Sequence, residues 1–76
     1  MSIEQRLGAE LSARREEAGM SKYRLCRETG VHYGYISALE KGERSMSVAM
    51  LARLCDALGL EIKLVPEKIT PNSGAD

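Results

Sequence analysis

The sequence predicts a mainly α fold: four short helices followed by one C-terminal β-strand that pairs across a dimer. Three observations carry this expectation. Apolar residues recur three and four apart in successive segments, a spacing that gathers them on one helix face. Serines and glycines stand between those segments, where helices start and stop. From Glu61 to Val65 the pattern changes to alternation, the period of a strand.

Each element has its own local reason. Ile3, Leu7 and Leu11 repeat at i+4 and predict a first amphipathic helix over about 3–17, ended by Ala18-Gly19. Met20 precedes Ser21 and can staple the entry of the second helix. Ser21 is a natural N-cap, because its side-chain oxygen can accept from a free N–H of the first turn. That helix runs to about Thr29. Gly30 then meets the need for a positive φ without a steric penalty. The third helix runs from about Tyr33 to Lys41 and stops at Gly42, with His32 at its start. Ser47 caps a fourth helix that reaches about Leu58, with Val48, Leu51, Leu54, Cys55 and Leu58 as its apolar stripe. Gly59 ends it, and Pro66 closes the strand.

Size and composition bound the function. Seventy-six residues make one domain, residues 1–66, with a dimerisation strand over about 60–66. Residues 67–76, which include Pro71, Asn72, Ser73 and Gly74, read as a flexible tail. A chain this short buries only about 60% of its unfolded surface, which favours an oligomer. No apolar run approaches the ~18 residues of a membrane span, and the N-terminus lacks a basic stretch followed by an apolar one. The expected location is cytoplasmic, with no membrane partner. Cys26 and Cys55 with His32 cannot complete a four-ligand zinc site, so no metal is expected. The two thiols read as reduced, buried, small hydrophobes. There is no glycine-rich nucleotide loop and no nucleophile in a recognisable catalytic setting. No cofactor, catalytic residue or enzyme activity is expected.

Ser21 to Arg44, SKYRLCRETGVHYGYISALEKGER, is the most informative stretch. Two short helices joined by a tight turn at Gly30-Val31 have the layout of a helix-turn-helix, whose second helix enters the major groove of DNA. The order Leu25-Cys26, Gly30-Val31, Ile36-Ser37, Leu39-Glu40, Gly42 resembles the Cro/repressor-type (Xre-like) helix-turn-helix family of phage repressors and bacterial regulators. Leu11, Arg15, Gly19 and Met20 upstream, and Ser47-Val48 and Leu51 to Leu58-Gly59 downstream, extend the resemblance over about residues 3–60. There are two departures: Cys26 stands where the family usually has alanine, and His32 where it has serine or threonine. The resemblance also implies that Arg15 pairs with Glu40, which lies beside the inward stripe of the third helix and needs a partner there.

The net charge is zero, which argues against a purely electrostatic DNA binder. Charge distribution matters more at a docking face than the total. Lys22 to Arg27 holds three positive charges and no negative one, and Lys41 and Arg44 follow the third helix. On that helix Ile36 and Leu39 point inward. Gly34, Ser37, Ala38 and Lys41 point outward, and Tyr33 and Tyr35 lie on opposite flanks. This outward face is small, so it can approach base edges closely. Ser37 can hydrogen-bond bases, and Ala38 can touch a thymine methyl. Sequence reading is therefore expected from His32, Tyr33, Ser37 and the close approach at Gly34, with phosphate contacts from the tyrosines. Tyr23 reads slightly better as an amphipathic surface or half-core aromatic. The expected DNA-binding set is Lys22, Tyr23, His32, Tyr33, Gly34, Tyr35, Ser37, Ala38, Lys41 and Arg44.

A lone strand leaves backbone groups unpaired. Antiparallel pairing with the same strand of a second copy satisfies them, with Leu58, Leu60, Ile62 and Leu64 as dimerisation residues facing the helices. The expected function is a sequence-specific dimeric DNA-binding regulator, a repressor acting at a pseudo-palindromic operator in double-stranded DNA. The segment LGLEIKLVP also resembles the tail of small antitoxins of toxin–antitoxin operons, which implies a toxin protein as a second partner. The competing reading is a protein-interaction module that keeps the fold without binding DNA.

Overall fold

The computed structural model describes residues 1–67. It contains four helices in chain order: α1 (Ile3–Glu17), α2 (Lys22–Thr29), α3 (Tyr33–Glu40) and α4 (Val48–Leu58). None of them is long and apolar enough to cross a membrane.

The helix starts follow from the serines. Ser2 caps α1 reciprocally: its hydroxyl accepts from the Gln5 N–H at 3.1 Å, and the Gln5 side chain accepts from the Ser2 N–H at 3.0 Å. Ser21 accepts from the Arg24 N–H at 3.0 Å, and Ser47 from the Met50 N–H at 3.0 Å. His32 occupies the same position before α3 and makes no side-chain cap bond. At the other ends, Gly30 and Gly59 adopt left-handed conformations with φ of 76° and 72°. Those two angles let α2 and α4 stop abruptly without a Cβ clash.

The core is Leu11, Met20, Leu25, Val31, Ile36, Leu39, Leu54 and Cys55. Leu25, Ile36 and Leu39 are the largest fully buried side chains, so α2 and α3 carry its centre. α1 packs on α3, and α2 packs on both α3 and α4. The Cys55 thiol is pushed above its ordinary value, chiefly by burial.

One approach is unusually close. A Cβ built on Gly8 would collide with the carbonyl oxygen of Leu39 and lie 2.8 Å from that of Glu40. A Cβ on Gly42 would lie 2.6 Å from Cα of Gln5. The backbone of α1 thus touches the C-terminal end of α3 directly, and the two glycines make the contact possible.

Several expectations need correction. Ile3 is 63% exposed and Val48 77% exposed. Helical period identifies a face, but these first-turn residues have no neighbouring element over them. The buried stripe of α1 is instead Gly8, Leu11 and Arg15. Cys26 is half-buried rather than buried. The expected C-terminal strand is not formed: no strand occurs among the described residues, and 61–67 are exposed. A strand exists only as part of a ladder, and no other segment among the described residues pairs with this one. Leu64, expected to face the helices, is 98% exposed. Of the expected tail, 68–76 lie outside the described residues.

Candidate nucleic-acid interface

The turn before α3 is fixed by short-range bonds. The Gly30 N–H donates to the Cys26 carbonyl at 2.8 Å. The Thr29 hydroxyl donates to the Leu25 carbonyl at 2.7 Å and accepts from the Val31 N–H at 3.2 Å. Val31 is buried, which locks the turn to the core. The orientation of α3 therefore follows from α2, from the glycine contact with α1, and from one ion pair.

That ion pair joins Arg15 and Glu40. Arg15 Nε donates to Glu40 Oε2 at 2.7 Å, and a second guanidinium nitrogen donates to Oε1 at 3.0 Å. The third guanidinium nitrogen donates to the Met20 carbonyl at 2.8 Å. The two side chains are 9% and 8% exposed, so the pair is nearly dry. Such a bidentate pair with a further acceptor satisfies both charges where a lone charge would be costly. The hydrogen bond to Glu40 holds the Arg15 pKa above its already high ordinary value. Among the described residues no buried side-chain polar atom lacks a partner.

Glu40 is the only carboxylate of α3, and it is turned inward. The outward side of α3 is therefore free of negative charge. Gly34 is exposed, and a methyl added there would meet nothing within 4 Å; Ser37 and Ala38 are half-buried beside it. His32, Tyr33, Lys41 and Arg44 are exposed and Tyr35 is half-buried. Arg44 stacks over the Tyr35 ring at 5.0 Å from the centroid. Lys22, at the start of α2, reaches across to α3: its ammonium donates to the Ser37 hydroxyl at 2.9 Å and lies 5.6 Å from the centroid of the Tyr33 ring. Tyr23 is 65% exposed on α2.

The residues read from the sequence as a DNA-contacting set thus lie on α2, on α3 and just beyond it. The basic residues of the motif differ in availability. Arg24 is engaged by Glu28 at 2.9 Å. Among the described residues Lys41, Arg44 and Arg27 have no carboxylate partner.

Sequence reasoning missed two things. Gly8 is one; its signal was a glycine inside a helical pattern, on the same face as Leu11 and Arg15. The other is the bond from Lys22 to Ser37, for which sequence spacing holds no signal. The two residues are fifteen positions apart and meet only through the turn. Leu58 and Leu60 are half-buried, while Ile62 and Leu64 are 46% and 98% exposed. Leu60 and Ile62 line a groove with Leu7 and Leu11 of α1 and Leu51 of α4.

Two helices, a turn fixed at Gly30, and a second helix that presents small, uncharged residues flanked by cations together define a helix-turn-helix module. Residues 6–67 match the helix-turn-helix domain family, and the chain belongs to that family. It is 36% identical over 62 residues to an HTH-type transcriptional regulator, y4dL, of Sinorhizobium fredii. The match covers 82% of this chain and 32% of that protein, so the chain spans about a third of the curated relative's length. Among solved structures it is similar to the clp gene regulator ClgR of Corynebacterium glutamicum. That similarity has a TM-score of 0.80 at 34% identity, over 82% of this chain and 80% of the other. It is also similar to the restriction-modification controller protein C.AhdI of Aeromonas hydrophila. There the TM-score is 0.72 at 28% identity, over 75% and 86% of the two chains.

Proposed function

We propose that the chain is a sequence-specific transcriptional repressor that docks α3 in the major groove of double-stranded DNA and works as a homodimer on a pseudo-palindromic operator. The observation that carries this reading is the outward side of α3. Gly34, Ser37 and Ala38 leave room for base edges. Tyr33, Tyr35, Lys41 and Arg44 stand where phosphates would flank the helix. Glu40, the one carboxylate of α3, is withdrawn into its pair with Arg15. A regulatory role is also the one the relatives' descriptions carry.

The dimer reading rests on a different surface. Ile62, Leu64 and Val65 are apolar and exposed in a single chain. Ile62 lines an open groove of about 350 Å³ walled also by Leu7, Leu11, Leu51 and Leu60. Pairing of 61–65 with its two-fold copy satisfies the backbone and covers these side chains together. The two α3 helices would then meet DNA about one turn (~34 Å) apart. A toxin partner, which the resemblance of this segment to antitoxins suggests, would need the same apolar strip or its outer side. The dimer accounts for the strip without a second protein.

Selection of binding sites from random duplex DNA with the whole chain tests the reading. The expected result is a two-fold-symmetric consensus, with affinity that falls as salt rises. A chain that enriches no sequence and binds duplexes no better than a neutral protein would instead be an interaction module on the same fold.

A further inference from the structure

Lys22 lies on α2, yet its charge is delivered to α3. Its ammonium donates to Ser37 Oγ at 2.9 Å and rests over the Tyr33 ring at 5.6 Å. The chemistry of that bond restricts Ser37. A serine hydroxyl has one proton to donate and two lone pairs to accept with. The ammonium has only protons, so it occupies a lone pair of Ser37 and turns the hydroxyl proton away from itself. The Ser37 proton is then free to donate to a group outside the chain. The ammonium keeps a proton of its own for an outside acceptor, because one goes to Ser37 and one points to the ring face. The result is two donors side by side on the open face of α3, an ammonium that cannot accept and a hydroxyl that keeps one lone pair.

We propose that Lys22 and Ser37 form one base-reading unit that selects guanine in each operator half-site. It rests on the reading that α3 enters the major groove, and it names which base the groove must present. Guanine shows two neighbouring acceptors there, N7 and O6. Adenine sets an amino donor beside N7, and cytosine shows an amino donor; neither offers two neighbouring acceptors to receive from Lys22 and Ser37 together. Thymine offers a single acceptor beside a methyl group. Tyr33 acts as a positioning residue, holding the ammonium over the groove floor and away from the phosphates. Lys22 thus serves as a specificity residue rather than as one more phosphate contact.

Competition binding on the operator selected from random duplexes decides the matter, using the whole chain and operators changed at one base pair at a time. Wild type should prefer guanine at one position per half-site by ~5- to 150-fold. Lys22→Met and Ser37→Ala should each flatten that preference at the same base pair and leave the other positions as they were. The double variant should lose little more than either single one, since the two side chains act together. Ser37→Thr keeps the hydroxyl and should keep the preference. Circular dichroism of each variant checks that the helices persist, and Ser37→Thr carries the test if Ser37→Ala does not fold.

Three results would overturn the proposal. If Lys22→Met weakens all duplexes alike and lowers the salt slope by about one, Lys22 is a phosphate contact, while the DNA-reading role of α3 stands. If the two variants relax different base pairs, Lys22 and Ser37 read separately. If wild type selects no sequence at all, the underlying docking reading fails, and this assignment fails with it.

Discussion

Arg15 is the residue on which α1, the turn after it and α3 converge. Its guanidinium spends one edge on Glu40 and its remaining nitrogen on the Met20 carbonyl, in a setting less than a tenth exposed. An exposed pair would contribute only ~0–1 kcal/mol. Removing one partner of a buried pair leaves the other charge stranded, at ~3–5 kcal/mol when burial is complete. We therefore expect Arg15→Ala and Glu40→Ala each to cost about 3 kcal/mol. The double variant should cost clearly less than their sum. Denaturant melts of the three variants measure this, and additive losses would mean that the two residues do not support each other. The same bond that joins α1 to α3 also removes a carboxylate from the outward side of α3, the side proposed to face DNA.

At the scale of elements, the packing of α1 on α3 rests on a backbone contact that only glycine permits. Two effects of Gly8→Ala oppose each other. Alanine favours a helix interior by ~1 kcal/mol over glycine. Its methyl would also strike the Leu39 and Glu40 carbonyl oxygens, which are backbone and cannot rotate away. Overpacking of this kind costs ~1–3 kcal/mol or more, so the clash wins and the fold is destabilised. Gly34→Ala is the control: nothing lies within 4 Å of the added methyl, and the variant should gain ~0.5–1 kcal/mol. Thermal melts of the two variants should move in opposite directions, and a shift in the same direction would remove the steric account of Gly8. These elements also show what was legible from sequence. The serine caps at 21 and 47 and the glycine stops at 30 and 59 could be read because a cap is a contact within four residues. The core positions Ile36 and Leu39 could be read because one helix face sets them. Gly8 left only the signal of a glycine inside a helical pattern, and the Lys22–Ser37 bond and the exposure of Ile3 and Val48 could not be read, because each depends on what another element does or does not place above it. The alternation at 61–65 was legible as a pattern, but no strand forms among the described residues.

For the whole molecule, the proposal gives two surfaces separate tasks: α3 with its flanking cations would face DNA, and 61–65 would face a second copy. That separation makes a prediction. Leu64→Pro removes a strand N–H and bends the segment without touching α3. We expect a monomer by sedimentation that keeps its helices and binds the operator far more weakly. A variant that still sediments as a dimer and binds at full affinity would exclude pairing through this segment. The central claim, however, is that α3 itself enters the groove, and one comparison tests it most directly: the affinity of Ala38→Glu against wild type for the selected operator, with helix content as the check on folding. Ala38 is half-buried on the outward side of α3, so the glutamate would set a negative charge against the base edges and between the phosphates. The account predicts a folded protein that has lost specific binding. A folded Ala38→Glu that binds the operator as tightly as wild type would contradict it.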